Sequence, residues 1–257
     1  MPELPEWRIV RNPTTGVTLL FGFAPLLGFY VAATPFQLLA CVLTYSAVAL
    51  AAYFYVVVAR RTVSLAFGFA VALFTIVVGG HMVVRLEQVP PVSWLYEAAI
   101  RRDGVASVVG FFAGLAANEE AWKAVPVLLL AFAIRRVATP LDGVFYGALS
   151  GVGFAFREGL TYIAGAAEGT DLLHQALLRT TTMPLLHATW SGIAGYFIGV
   201  AAASRHRQYA LSILGIATAT VLHGLYDVAV EHILAVAIAA LTYLLFVSYI
   251  ERAERSA

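Results

Sequence analysis

Apolar residues fill this chain in long blocks, and the polar residues gather between them. Mostly apolar blocks lie at about 17–33, 36–59, 62–84, 104–134, 141–166, 184–203, 209–229 and 233–250. A helix needs about 17–25 such residues to cross ~30 Å of hydrocarbon at ~1.5 Å per residue. The pattern therefore predicts an all-α, polytopic membrane helix bundle of about eight transmembrane helices. The connections are short and no Ser/Gly-rich linker interrupts the series, so residues 1–257 are expected to form a single integral membrane domain. Residues 17–33 follow Arg8 and Arg11 as a signal peptide would, but the run is longer than a usual signal core of about 7–15 residues. It is expected to be an uncleaved first span.

Composition agrees with this reading. Of the 257 residues, 61% are apolar and 12% charged, against about 25% charged in a typical soluble domain. The formal net charge is +1, with no block of like charges, so nucleic acid is not an expected partner. Cys41 is the only cysteine, which excludes an intramolecular disulfide and a zinc site built on cysteine pairs. The placement of arginine sets an orientation. With a cytoplasmic N-terminus, Arg8, Arg11, Arg60, Arg61, Arg135, Arg136, Arg205, Arg207, Arg252 and Arg255 fall inside, and Arg85, Arg101, Arg102 and Arg179 fall outside. Positive residues favour the cytoplasmic side, so both termini are expected there, in a multi-pass protein of the plasma membrane. The outer segment from Arg85 to Asp103 carries Trp94 and Tyr96, and Val92–Arg102 fits a short interfacial helix.

Some charges fall inside the predicted spans: Glu119, Glu120, Lys123, Arg157, Glu158 and Asp227, with His187 and His223 in or near span ends. A charge at the centre of a membrane helix costs about 2.5–3.5 kcal/mol even on lenient scales, so such groups face a protein interior or a water-filled cavity. Glu119 and Lys123, Phe154 and Glu158, Glu158 and Tyr162, and His223 and Asp227 are each four residues apart and share a helix face. Glu119 and Lys123 are expected to pair, with Glu120 turned about 100° toward another neighbour. Two adjacent carboxylates in low dielectric resist ionising together and titrate as a unit, which places an acid and a base side by side. Counting residues from the span ends puts the cluster between the midplane and the outer leaflet, where a cleft would also admit water. Gly143, Gly147, Gly151, Gly192, Gly195 and Gly199 read as close-packing helix faces.

Four pieces stand in order: Glu119-Glu120-Ala-Trp-Lys123, Phe154-x-x-x-Glu158-x-x-x-Tyr162, His187 with Ser191 and Gly192, and His223-x-x-x-Asp227. Together they resemble the PrsW family of intramembrane proteases, itself similar to the CAAX prenyl endopeptidases and bacteriocin-processing membrane proteases. In that wider group the second motif ends in His. Here it ends in Glu158, which favours the PrsW branch. The resemblance covers about residues 104–229. It implies a protease that cuts a membrane-anchored protein at the outer face, in relatives an anti-sigma factor.

The resemblance also implies roles. One of Glu119 and Glu120, with Glu119 the first choice, is the base that activates water, the other positions the water and shares its proton, and Lys123 is a structural counter-ion. His187 and His223 stabilise the oxyanion or protonate the leaving amine, Asp227 orients His223, and Glu158 orients a histidine; Phe154 and Tyr162 support the site. The paired glutamates suit a metal-free base, the preferred reading here, with no cofactor. The alternative is a zinc enzyme whose ligands come from His187, His223, Asp227 and Glu119. From a different class, a proton- or cation-coupled transporter could use the same groups as a relay. Transporters often carry inverted repeats, and no internal repeat is visible in this sequence.

Overall fold

The computed structural model describes residues 34–58, 63–102, 104–165, 178–204 and 208–255. The expected first span at 17–33 lies outside them, as do Arg8, Arg11, Arg60, Arg61, Arg205 and Arg207. The described residues form eight helical stretches: α1 (Pro35–Val57), α2 (Leu65–Leu86), α3 (Val92–Arg101), α4 (residues 104–133), α5 (Pro140–Gly165), α6 (Leu178–Ala203), α7 (Tyr209–Ala229) and α8 (Leu234–Arg255). Helix α1 starts where Thr34 Oγ1 accepts the Gln37 N–H at 3.2 Å and Pro35 supplies a ready-made helical φ.

Five helices, α1, α2, α6, α7 and α8, are long and apolar enough to cross a membrane. Helices α4 and α5 are not among them, and the reason is chemical. They carry Glu119, Glu120, Lys123, Arg157 and Glu158, charges that sequence reading places inside spans, and Asp142, which it does not single out. The helices differ sharply in burial: 72% of the apolar window of α6 is buried, against 11% for α1 and 17% for α8. Helix α6 is thus the axis of the bundle, and α1 and α8 turn apolar residues such as Val56, Val236 and Leu244 outward. In water that surface would aggregate; toward lipid it is the expected face.

The axis is built on glycine. A Cβ at Gly143, Gly147 or Gly151 of α5 would lie 2.1–2.2 Å from the carbonyl oxygens of Gly195, Ser191 and His187 of α6. No other residue permits that approach, and it fixes the register of α5 against α6. A capping exchange starts α5: the N–H groups of Ala138 and Thr139 donate to Asp142 Oδ2 at 2.9 Å, and Asp142 N–H donates to Thr139 Oγ1 at 3.2 Å. On the other side of α5, Thr75 Oγ1 in a π-helical turn of α2 donates to Ser150 O at 3.0 Å.

The segment expected to form a short interfacial helix is helical, as α3. It presses onto a π-helical stretch of α4, where a Cβ at Gly110 would meet Leu95 O at 2.4 Å, and it leaves Trp94 exposed. It ends at Arg102 in the left-handed region (φ 49°), whose guanidinium meets Glu231 at 2.8 Å, past the end of α7.

Candidate active site

Four helices deliver the polar groups to one place. Helix α4 brings Glu119, Glu120 and Lys123; α5 brings Phe154 and Glu158; α6 brings His187; and α7 brings His223 and Asp227. The α5–α6 seam does part of this directly. Because Gly151 lies under the His187 carbonyl, Glu158, two turns further along α5, comes level with the His187 ring.

Lys123 is the hub and is fully buried. Its Nζ lies 2.6 Å from Glu120 Oε1, 3.3 Å from Glu119 Oε2 and 2.9 Å from His187 Nδ1, with the Phe154 ring centroid 4.6 Å away. The expected Glu119–Lys123 pair is present and Glu120 reaches another neighbour, His223, as expected, but Glu120 also meets Lys123, which sequence spacing did not anticipate. Residues three apart on a helix are neighbours as surely as residues four apart, and both carboxylates bend to the one ammonium. A lysine buried among two carboxylates is tolerable where a lone one is not.

The two histidines are held differently. His223 Nδ1–H donates to Glu120 Oε1 at 2.9 Å, so its Nε2 is directed toward Asp227 Oδ2 (3.3 Å) and Glu119 Oε2 (3.9 Å). His187 Nδ1 accepts from Lys123, since an ammonium only donates, and its Nε2 faces Glu158 Oε2 at 2.9 Å. His187 Nδ1 also lies 4.0 Å from Glu119 Oε2. Every charged or histidine residue singled out from the sequence except Arg157 therefore enters one connected cluster; Arg157 lines the adjoining cavity and bonds Thr161 instead. Tyr162 stands at its margin, partly exposed, under the Arg179 guanidinium at 3.4 Å from the ring centroid. Ser191 offers no nucleophile arrangement; its hydroxyl donates to Glu120 Oε2 at 3.5 Å.

Two members were missed by sequence reading. Arg179, taken as an outer-loop residue, meets Glu158 Oε1 at 2.9 Å and so leaves Oε2 for His187. Trp190 stacks on His223 (centroids 4.1 Å apart, planes 14°) and meets His187 edge-on. Its place one turn beyond His187, on the same face of α6, was the available signal.

Glu119, Glu158, His223 and Asp227 line a cavity of about 430 Å³, which extends past Tyr96, Arg157 and Arg179 to Glu87. Glu87 follows the last residue of α2. Burial, and then the negative charge of Glu158, push its carboxyl up to about 7.

The donor set fits a metal ion. Ligand atoms of Glu119, His187 and His223 all lie within 4.8 Å of one another. His187 Nε2, Glu158 Oε2 and Asp227 Oδ2 are buried and make no hydrogen bond of proper geometry, although each lies near an opposite partner. Two histidines with one carboxylate is also a ligand set that zinc accepts with a position left open.

Comparison with known proteins agrees with this chemistry. No solved structure matches the chain. The curated Protease PrsW of Shouchella clausii (strain KSM-K16) is 31% identical over 110 residues, 42% of this chain and 48% of that protein. The chain thus spans about half the length of the curated relative it matches. The profile of the PrsW family intramembrane metalloproteases matches residues 60–250, which takes in every charged and histidine residue of the cluster. The match covers most of the chain, and with five helices long and apolar enough to cross a membrane it places a multi-pass protein in the cell membrane: the chain belongs to the PrsW family of intramembrane proteases.

Proposed function

We propose that the chain is a metal-dependent endopeptidase that cuts membrane-anchored protein substrates within the membrane, with single-span regulators of the anti-sigma-factor type as the substrate class. The observation that carries the reading is the convergence of Glu119, His187 and His223 within 4.8 Å, with Glu119 and His223 at the wall of a cavity. The preference for a metal over a metal-free base rests on that donor set, two histidines with one carboxylate, and on the metalloprotease family that the chain matches. Both termini in the cytoplasm, eight spans and a site in the outer half of the bilayer complete the proposal, on the arginine distribution.

Glu119, His187 and His223 would hold the ion. When bound, it supplies a Lewis acid for the scissile carbonyl and lowers the pKa of the attacking water. Glu120 fixes the tautomer of His223 by accepting from Nδ1–H, as carboxylates behind ligand histidines do. Lys123 neutralises the glutamate pair from behind. With Glu119 engaged, Asp227, the cavity carboxylate beside His223, accepts the proton from water and passes it to the leaving amine. Arg179 holds Glu158 against His187 and so orients that ring.

The test is cleavage of a panel of single-span membrane proteins in liposomes by wild type, Glu119→Gln and His223→Ala. Wild type yields a product, each variant loses at least about 10³-fold of the rate, and a chelator abolishes cleavage until zinc is restored. Cleavage that resists the chelator but needs Glu119 returns the assignment to the metal-free base. No product from any panel member removes the protease reading.

A further inference from the structure

Three arginines line the cavity, and two of them are neutralised. Arg102 meets Glu231 at 2.8 Å and Arg179 meets Glu158 at 2.9 Å. Arg157 differs. Among the described residues no carboxylate comes within 4.0 Å of its guanidinium, and its one side-chain partner is the neutral Thr161 hydroxyl, one turn along the same helix. A half-buried cation inside a membrane bundle is expensive to leave unpaired.

The fold nevertheless makes room for it. A Cβ at Gly80 of α2 would lie 2.8 Å from Arg157 Cγ, so the absent side chain at Gly80 leaves the groove in which the arginine stem rests. Thr161 then holds the head of that stem, and Thr161 Oγ1 in turn donates to Arg157 O at 3.1 Å. Arg157 is thus fixed at both ends, directed into the cavity, and adjacent in sequence to Glu158, which contacts His187.

We infer that Arg157 is a specificity-determining residue that receives an acidic side chain of the substrate, a few residues from the bond that is cut. This rests on the protease reading of the same cavity. An Arg–carboxylate contact in a water-poor cleft is strong and directional, and Arg157 brings five donors of which Thr161 takes one. A lipid phosphate is the other anion at membrane depth. The peptide is favoured because the cation lies in the cavity wall beside Glu158 rather than among the lipid-facing residues.

The experiment compares three versions of one cleaved single-span substrate, with Asp, Asn or Lys at a single position scanned along the residues flanking the cut. The readout is the ratio of kcat/KM between versions, in which loss of folded enzyme cancels. Wild type prefers Asp to Asn by about 10-fold at one register. Arg157→Lys keeps part of that ratio, Arg157→Gln brings it to about one, and Arg157→Glu prefers Lys. A wild-type ratio near one at every position, as expected if lipid or water alone solvates the guanidinium, overturns the proposal, as does an Arg157→Glu enzyme that still prefers Asp. Cleavage without charge preference overturns this inference alone, whereas no cleavage of any version by wild type overturns the protease reading as well.

Discussion

Helices α5 and α6 touch along their length in two different ways. From Gly143 to Gly151 the contact is backbone against backbone, with no side chain between. From Glu158 onward it is side chain against side chain, through His187 and Arg179, with a cavity alongside. The seam leaves no freedom and the polar end depends on it: seam register decides which α5 residue meets His187. Rigid scaffold and reactive groups are thus consecutive stretches of one helix pair, and substitutions in each should fail in distinguishable ways.

The largest effect is expected at the polar end. Lys123→Met leaves Glu119 and Glu120 facing one another without their common counter-ion, and removing one partner of a buried charge cluster costs about 3–5 kcal/mol. Adding Glu120→Gln should restore much of the loss, because it removes the unpaired charge. Thermal unfolding in detergent of the two single variants and the double variant measures the coupling. Simple addition of the two single losses would mean that Lys123 acts through packing against Phe154, at 4.6 Å, and not through charge.

The seam responds next. Gly147→Ala places a methyl 2.2 Å from the Ser191 carbonyl oxygen, so α5 and α6 must part, at about 1–3 kcal/mol for overpacking. Trimming α6 side chains should not rescue it, since the atom met is backbone. Because register shifts too, cleavage should fall by more than the lost stability accounts for. Activity per folded molecule checks this, and an unchanged value separates seam from site.

The same contrast explains what was legible in the sequence. Spacing along one helix is readable, so Glu119 with Lys123 and His223 with Asp227 stood out, as did the glycine seam. Apolar length is readable too, and the five described helices long and apolar enough to cross a membrane coincide with expected blocks. Contacts between helices are not in the spacing. Lys123 reaching His187 on α6, Arg179 reaching back to Glu158 on α5, and Trp190 lying flat on His223 of α7 depend on helix rotation that only packing decides. Arg179 was misplaced for a further reason: as an arginine just ahead of a predicted span it looked like a loop residue, whereas α6 begins at Leu178, several residues earlier than the apolar run suggests.

The smallest effect concerns the cavity rim. Glu87 titrates at about 7 against an ordinary 4.5, because burial and the Glu158 charge resist its ionisation. A carboxyl whose folded pKa is raised binds its proton more tightly folded than unfolded, so between about 4.5 and 7 the folded state holds the extra proton. Stability from this group is therefore full below that window and falls as pH rises through it. The effect is modest, since Glu87 is only half-buried and solvent screens it. Comparing wild type with Glu87→Gln isolates it from the other carboxylates: the wild-type melting temperature should drop relative to the variant between pH 5 and pH 7.5. A constant difference across that range would mean that Glu87 ionises as in water, and that the cavity near α3 is wetter than its Tyr96 lining suggests.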